Sequence, residues 1–80
     1  MQLEILLFGI AKDICGGSKL MLDAPEMASA AWLKTHLADR FPRLKSLVSW
    51  RLAVNENYVE DDFSLSENDE IVVIPPVSGG

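Results

Sequence analysis

The sequence predicts a small α+β domain in which one main helix packs across a mixed sheet. Its apolar segments read, in order, as strand, strand, helix, strand, short strand, strand. The sustained helical periodicity lies mid-chain, and the uninterrupted apolar run Ile71-Val72-Val73-Ile74 comes close to the end. A fully buried strand placed last belongs at the centre of the sheet, joined in parallel to the first strand by a right-handed crossover. A chain of 80 residues holds one hydrophobic core and is too short for a deep cleft between domains.

Each element has its own signal. Leu3, Ile5 and Leu7 alternate with Gln2, Glu4, Leu6 and Phe8, which predicts a strand over residues 2–9. Leu6 and Phe8 suggest that its far end is buried on both faces. Residues 10–17 read as a long connection ending in the turn signal Gly16-Gly17, followed by a second strand, Lys19-Leu20-Met21-Leu22. Asp23-Ala24-Pro25-Glu26 has the form of a helix start, with Asp23 able to cap and Pro25 tolerated in the first turn; Ser29 is a rival cap. Ala30, Leu33, Leu37 and Phe41 then recur at helical spacing until Pro42 closes the segment. Leu44, Leu47 and Val48 predict a short turn packed under the sheet. Trp50 opens a third strand in which Leu52 and Val54 share a face, and Asn55-Glu56-Asn57 turns the chain into a short return strand at Tyr58-Val59. Ser66-Glu67-Asn68-Asp69-Glu70 is a polar turn before the last strand.

Composition narrows the function. Hydrophobic residues make up 49% and charged residues 24%, a globular balance without low-complexity segments or repeats. Twelve acidic against seven basic residues give a net charge of −5, the wrong sign for a nucleic-acid contact surface and suited either to a basic protein partner or simply to solubility. No apolar run approaches the roughly 20 residues that span a bilayer. Met1 leads directly into a strand pattern, so no signal peptide is expected. The single cysteine, Cys15, excludes an internal disulfide and points to a reducing, cytoplasmic setting.

Free-standing catalysis finds no constellation. His36 is the only histidine, too few for a zinc site or a Ser/His/Asp triad, and is expected at the surface or helix boundary. Cys15 lacks a sequence neighbour that would lower its pKa and reads as an inert thiol. Gly16-Gly17-Ser18-Lys19 lacks phosphate-loop spacing and leads into a strand. Glu60, Asp61 and Asp62 lack the alternation of a calcium loop and read as a solvated turn. No metal site is expected. Trp32 and Trp50 belong to the core edge or to a partner contact.

The ending is the informative segment. Pro75-Pro76-Val77-Ser78-Gly79-Gly80 carries no ionisable side chain. Its two prolines withdraw two N–H donors from any ladder and hold the backbone extended, which divides the chain into a domain over residues 1–74 and a projecting functional tail over residues 75–80. Glycine lacks a Cβ, so Gly80 offers a carbonyl carbon open from both faces and Gly79 lets the backbone lie flat in a narrow channel. The alternative is a frayed terminus, where small residues are common.

From Leu65-Ser66-Glu67-Asn68-Asp69-Glu70-Ile71 into Ile74-Pro75-Pro76-Val77-Ser78-Gly79-Gly80, the chain resembles the small-subunit family of molybdopterin synthase, a branch of the ubiquitin-like β-grasp sulfur carriers. Ala53-Val54-Asn55 before Tyr58-Val59 fits that family's middle hairpin. One departure is a longer, alanine-rich segment over residues 23–32, which leaves the helix start open. The resemblance implies that an ATP-using, ubiquitin-activating-like adenylyltransferase adenylates Gly80 and that sulfur transfer converts it to a thiocarboxylate. It further implies that the tail enters the large synthase subunit and donates sulfur to cyclic pyranopterin monophosphate, within an assembly of two small and two large subunits. Pro75, Pro76, Val77, Ser78 and Gly79 are then the partner-binding tail, and Asp69 and Glu70 either dock on a basic partner surface or shape the preceding turn. No cofactor is expected to bind the chain directly. The competing expectations are a sulfur carrier of another pathway, a ubiquitin-like modifier conjugated to lysines, and a plain interaction module.

Overall fold

The computed structural model describes residues 1–47 and 49–76, and among them five strands form one mixed sheet. Strand β1, Gln2–Leu7, buries Leu3, Ile5 and Leu7 on one face as the alternation requires. It stops short of the expected residue 9 because Gly9 takes φ 52°, a left-handed value that breaks the extended run. Phe8 therefore caps a helix and is 54% exposed, so the far end of β1 is not buried on both faces.

The stretch expected as a connection holds helix α1, Gly9–Cys15, which buries Ala11 and ends where Gly16, at φ 84°, donates its N–H to the Lys12 carbonyl. Strand β2, Lys19–Asp23, returns antiparallel along β1.

Helix α2, Ala30–Arg40, starts at the rival cap. The Ser29 hydroxyl accepts the Trp32 N–H at 3.1 Å, and the N–H groups of Ala30 and Ala31 donate to the Phe63 and Asp61 carbonyls. The start expected near Asp23 fails because Asp23 closes β2, its carboxylate accepting the Gln2 amide. Leu33 and Leu37 are fully buried, and the 3₁₀ turn Pro42–Ser46 adds Leu44 beneath the same face. Trp32 stacks on His36, ring centroids 4.8 Å apart, on a half-buried flank of the helix.

Strand β3, Arg51–Val54, begins one residue after Trp50, which stays half-buried outside it; Val48 lies outside the described residues. Asn55 and Glu56, at φ 51° and 72°, form the doubly left-handed turn that a two-residue hairpin requires, leading into β4, Asn57–Tyr58. Strand β5, Ile71–Ile74, completes the order β2-β1-β5-β3-β4, central as expected, parallel to β1 and antiparallel to β3. The arrangement is the ubiquitin-like β-grasp. One face of the sheet packs Leu3, Ile5, Leu7, Leu52, Val54, Ile71 and Val73 against α2 and the 3₁₀ turn, all at most 2% exposed.

Candidate functional site

The tail leaves the sheet from its centre. Strand β5 is flanked on both sides, and its neighbours end at the same level: Leu7 lies opposite Val73 on β1, and Arg51 opposite Ile74 on β3. Pro75 and Pro76 follow with no N–H to offer either neighbour, so the ladder stops on both edges at once. Both prolines are half-buried, and Pro75 Cγ lies 3.7 Å from where a Cβ on Gly9 would stand. That is ordinary contact, so the demand for glycine at residue 9 comes from its backbone angle rather than from crowding. Val77, Ser78, Gly79 and Gly80 lie outside the described residues.

Beside the tail root, the face of the sheet away from α2 is apolar as well. Leu6, Val72, Ala53 and Tyr58 run across it in register, with Ile74 one step toward the tail. Val72 and Ala53 are nearly buried, whereas Phe8 and Tyr58 are more than half exposed. Together with Ile74 they line a shallow depression of about 350 Å³, rimmed by Glu56 and Glu70. The Arg51 guanidinium sits over the Tyr58 ring, 3.9 Å from its centroid, which holds a cation beside the root of the tail. Sequence reasoning did not single out this face. The signal was present: a chain with one long helix has one layer to cover a sheet, yet Val72 and Ile74 alternate with Ile71 and Val73 as equally apolar residues.

Asp69 and Glu70 sit at the opposite end of β5 from the tail, Glu70 about 16 Å from Pro75 at strand rise. Both Asp69 carboxylate oxygens are engaged internally, Oδ1 accepting the Asn55 side-chain amide at 3.0 Å and Oδ2 the Ser66 N–H at 2.8 Å. The Glu70 backbone completes the clip: its N–H donates to Asn55 Oδ1 and its carbonyl accepts the Asn55 N–H. Asp69 thus shapes the turn and ties it to the β3–β4 hairpin. The Glu70 carboxylate faces solvent, on a rim it shares with Gln2, Glu4, Glu67 and Asp69.

Cys15 is partly buried, and desolvation raises its thiol pKa while Arg40 pulls weakly the other way; a protonated thiol is a poor nucleophile. Among the described residues no group of three or more His, Cys, Asp or Glu side chains could hold a metal ion, and no helix is long and apolar enough to cross a membrane.

The sheet and its tail root recur in known proteins. The chain is 37% identical over 83 residues to the molybdopterin synthase sulfur carrier subunit of Dictyostelium discoideum, covering 99% of this chain and 96% of that protein. It is 33% identical to the one from Arabidopsis thaliana, covering 100% of this chain and 84% of that one. Among solved structures, a Pyrococcus furiosus protein named as a candidate subunit 1 of molybdopterin converting factor superposes with TM-score 0.86 at 24% identity, over 96% of this chain and 99% of that one. The Helicobacter pylori complex of subunits 1 and 2 of that factor contains a chain matching with TM-score 0.70 at 23% identity, over 100% of both. Small archaeal modifier protein 1 of Haloferax volcanii matches with TM-score 0.80 at 19% identity, over 95% of this chain and 98% of that one. At such identities these structures share the fold. The ThiS family model matches residues 5–80, from β1 through the final glycine, and the chain belongs to that family.

Proposed function

We propose that this chain is the sulfur-carrier small subunit of molybdopterin synthase, working in the cytoplasm, with residues 75–80 as its functional tail. The observation that carries the reading is a central strand released by Pro75-Pro76 into an uncharged segment ending in Gly79-Gly80, in a chain whose relatives are sulfur carrier subunits.

The Gly80 carboxylate is a poor acyl donor. A partner adenylyltransferase converts it with ATP to an acyl adenylate, releasing pyrophosphate; sulfide-level sulfur from a donor then displaces AMP and leaves a C-terminal thiocarboxylate. The tail threads the large subunit, where each charged carrier delivers one sulfur to cyclic pyranopterin monophosphate, and the dithiolene takes two. Two small and two large subunits make the working assembly.

The chain's own part is delivery. With no ionisable side chain over residues 75–80, only the terminal group must be desolvated on entry, and partner lysines or arginines can pair it. Pro75 and Pro76 lower the entropy lost on threading, and Gly79 and Gly80, lacking Cβ atoms, minimise the width of the tail. The apolar open face beside the tail root gives the large subunit a surface to grip while the tail is inserted. Glu70, exposed at its rim, suits a basic residue of a partner.

The test is mass spectrometry of the intact chain and its C-terminal fragment after incubation with ATP, a sulfur source and the cognate activating enzyme. Sulfur replacing oxygen at Gly80 is the expected result. Oxidation at any of the three methionines gives nearly the same mass change, so the change must localise to the last residue. An unmodified Gly80, under conditions that charge a known carrier, overturns the reading. The likeness in fold to an archaeal modifier protein makes lysine conjugation the second reading, recognised by isopeptide-linked adducts in cells.

A further inference from the structure

Strand β2 lies at the rim of the sheet, and among the described residues nothing pairs with its outer edge. The hydrogen-bonding phase of that edge follows from its ladder with β1. At one end the Leu7 N–H donates to the Ser18 carbonyl; at the other, Met1 and Ala24 exchange both N–H···O bonds. The register between these ends is continuous, and bonded pairs alternate along an antiparallel ladder, so Leu20 and Leu22 spend their N–H and C=O groups on Ile5 and Leu3. Lys19, Met21 and Asp23 therefore direct theirs outward.

The same three residues share the open face, and their order is self-complementary. A two-fold axis through Met21 brings a second β2 alongside in antiparallel register, with Met21 opposite itself and Lys19 opposite Asp23 at both ends. In that register outward-directed residues meet outward-directed residues, so each of the three pairs can exchange both backbone bonds. An axis through Leu20 or Leu22 would bring inward-bonded groups together and form none at the centre. Parallel pairing in the same register would place Lys19 against Lys19 and Asp23 against Asp23.

We propose that β2 is a self-pairing edge, through which two copies of this chain join antiparallel about Met21 into one continuous sheet. Lys19 and Asp23 keep capacity for this. Lys19 Nζ stands 3.7 Å from Glu4, leaving donors over, and Asp23 uses Oδ1 for the Gln2 amide, leaving Oδ2 as a further acceptor. A five-residue edge buries well under the roughly 1,200 Å² of a stable interface, so the pairing is weak and concentration-dependent. The two β5 strands of such a dimer run in opposite directions, and the joint covers neither tail root.

The test is sedimentation velocity and amide hydrogen exchange on the full chain from micromolar to millimolar concentration. The expected result is reversible dimerisation in which the amides of Lys19, Met21 and Asp23 gain protection with concentration while those of Leu20 and Leu22, already bonded in the monomer, do not change. K19D and D23K each weaken the dimer several-fold by opposing like charges, and the K19D/D23K swap restores it. M21P abolishes it without removing any β1–β2 bond, circular dichroism confirming the fold. A chain that stays monomeric at millimolar concentration overturns the proposal. So does a dimer indifferent to these substitutions, or one whose concentration-dependent protection falls elsewhere.

Discussion

The two faces of the sheet are built from the same strands and do different work. On β5, Ile71 and Val73 point at α2 and are fully buried, whereas Val72 and Ile74 point the other way into a face that, among the described residues, no helix covers. Strand geometry makes the division, since successive side chains alternate. An apolar residue that packs against the chain's own helix contributes to stability, and under the proposed function one on the uncovered face contributes to association. Hydrophobicity alone does not distinguish them; the number of covering layers does.

Substituting the same residue type on each face tests this most directly. Ile71→Ala removes a fully buried side chain and is expected to cost about 2–5 kcal/mol in denaturant unfolding, the usual range for such a deletion in a core. Equal losses at Ile71 and Ile74 would abolish the distinction between the faces. Ile74→Ala, only half-buried, should cost less than Ile71→Ala and act instead on the large subunit, where a loss of about 1.4 kcal/mol appears as a tenfold weaker Kd by calorimetry. Tyr58→Ala should behave likewise, since its ring is 56% exposed and carries Arg51 at the root of the tail. Unchanged affinity in both variants would remove the open face from the docking surface.

The smallest effect concerns Cys15, at the edge of the core face. Burial raises its thiol pKa above the ordinary 9.0, so the folded chain holds the proton more tightly than the unfolded chain. Its stabilisation is complete below the unfolded pKa and is lost as pH rises from there through the folded pKa. Unfolding followed across that alkaline window should show a decline that Cys15→Ala makes shallower. An identical decline in the variant would assign it to other groups.

Much of this was legible in the residues, for stated reasons. The alternation of Leu3, Ile5 and Leu7, the helical spacing of Leu33 and Leu37, and the apolar run at Ile71–Ile74 each reflect burial against one layer, and the central place of the last strand, parallel to the first, followed from them. Helix α1 escaped because seven residues span under two turns and Ala11 is its only buried residue, too little to display a period. The start of α2 was ambiguous between two caps, and a contact distant in sequence decided it: the loop carrying Asp61 and Phe63 supplies carbonyls to the first turn, while Gln2 claims Asp23. The proposal for the tail rests on Pro75, Pro76, Gly79 and Gly80 as read in the sequence, whereas the surface beside it was not legible there. Phe8 and Tyr58 come from β1's end and β4, and only the completed sheet sets them around Ile74. Asp69 read equally well as a docking charge or a turn former until Asn55, fourteen residues earlier, was seen to hold it.

Because β5 sits between β1 and β3, a chain ending at residue 70 lacks the strand that joins the β1–β2 and β3–β4 hairpins. Synthesis must deliver the strand that bears the tail before the two halves can close on a shared core. A product truncated short of it leaves the flanks of β1 and β3 and their apolar residues open to chaperones and proteases. The strand that carries the tail is thus also the strand that closes the core, since β5 alone pairs with both β1 and β3.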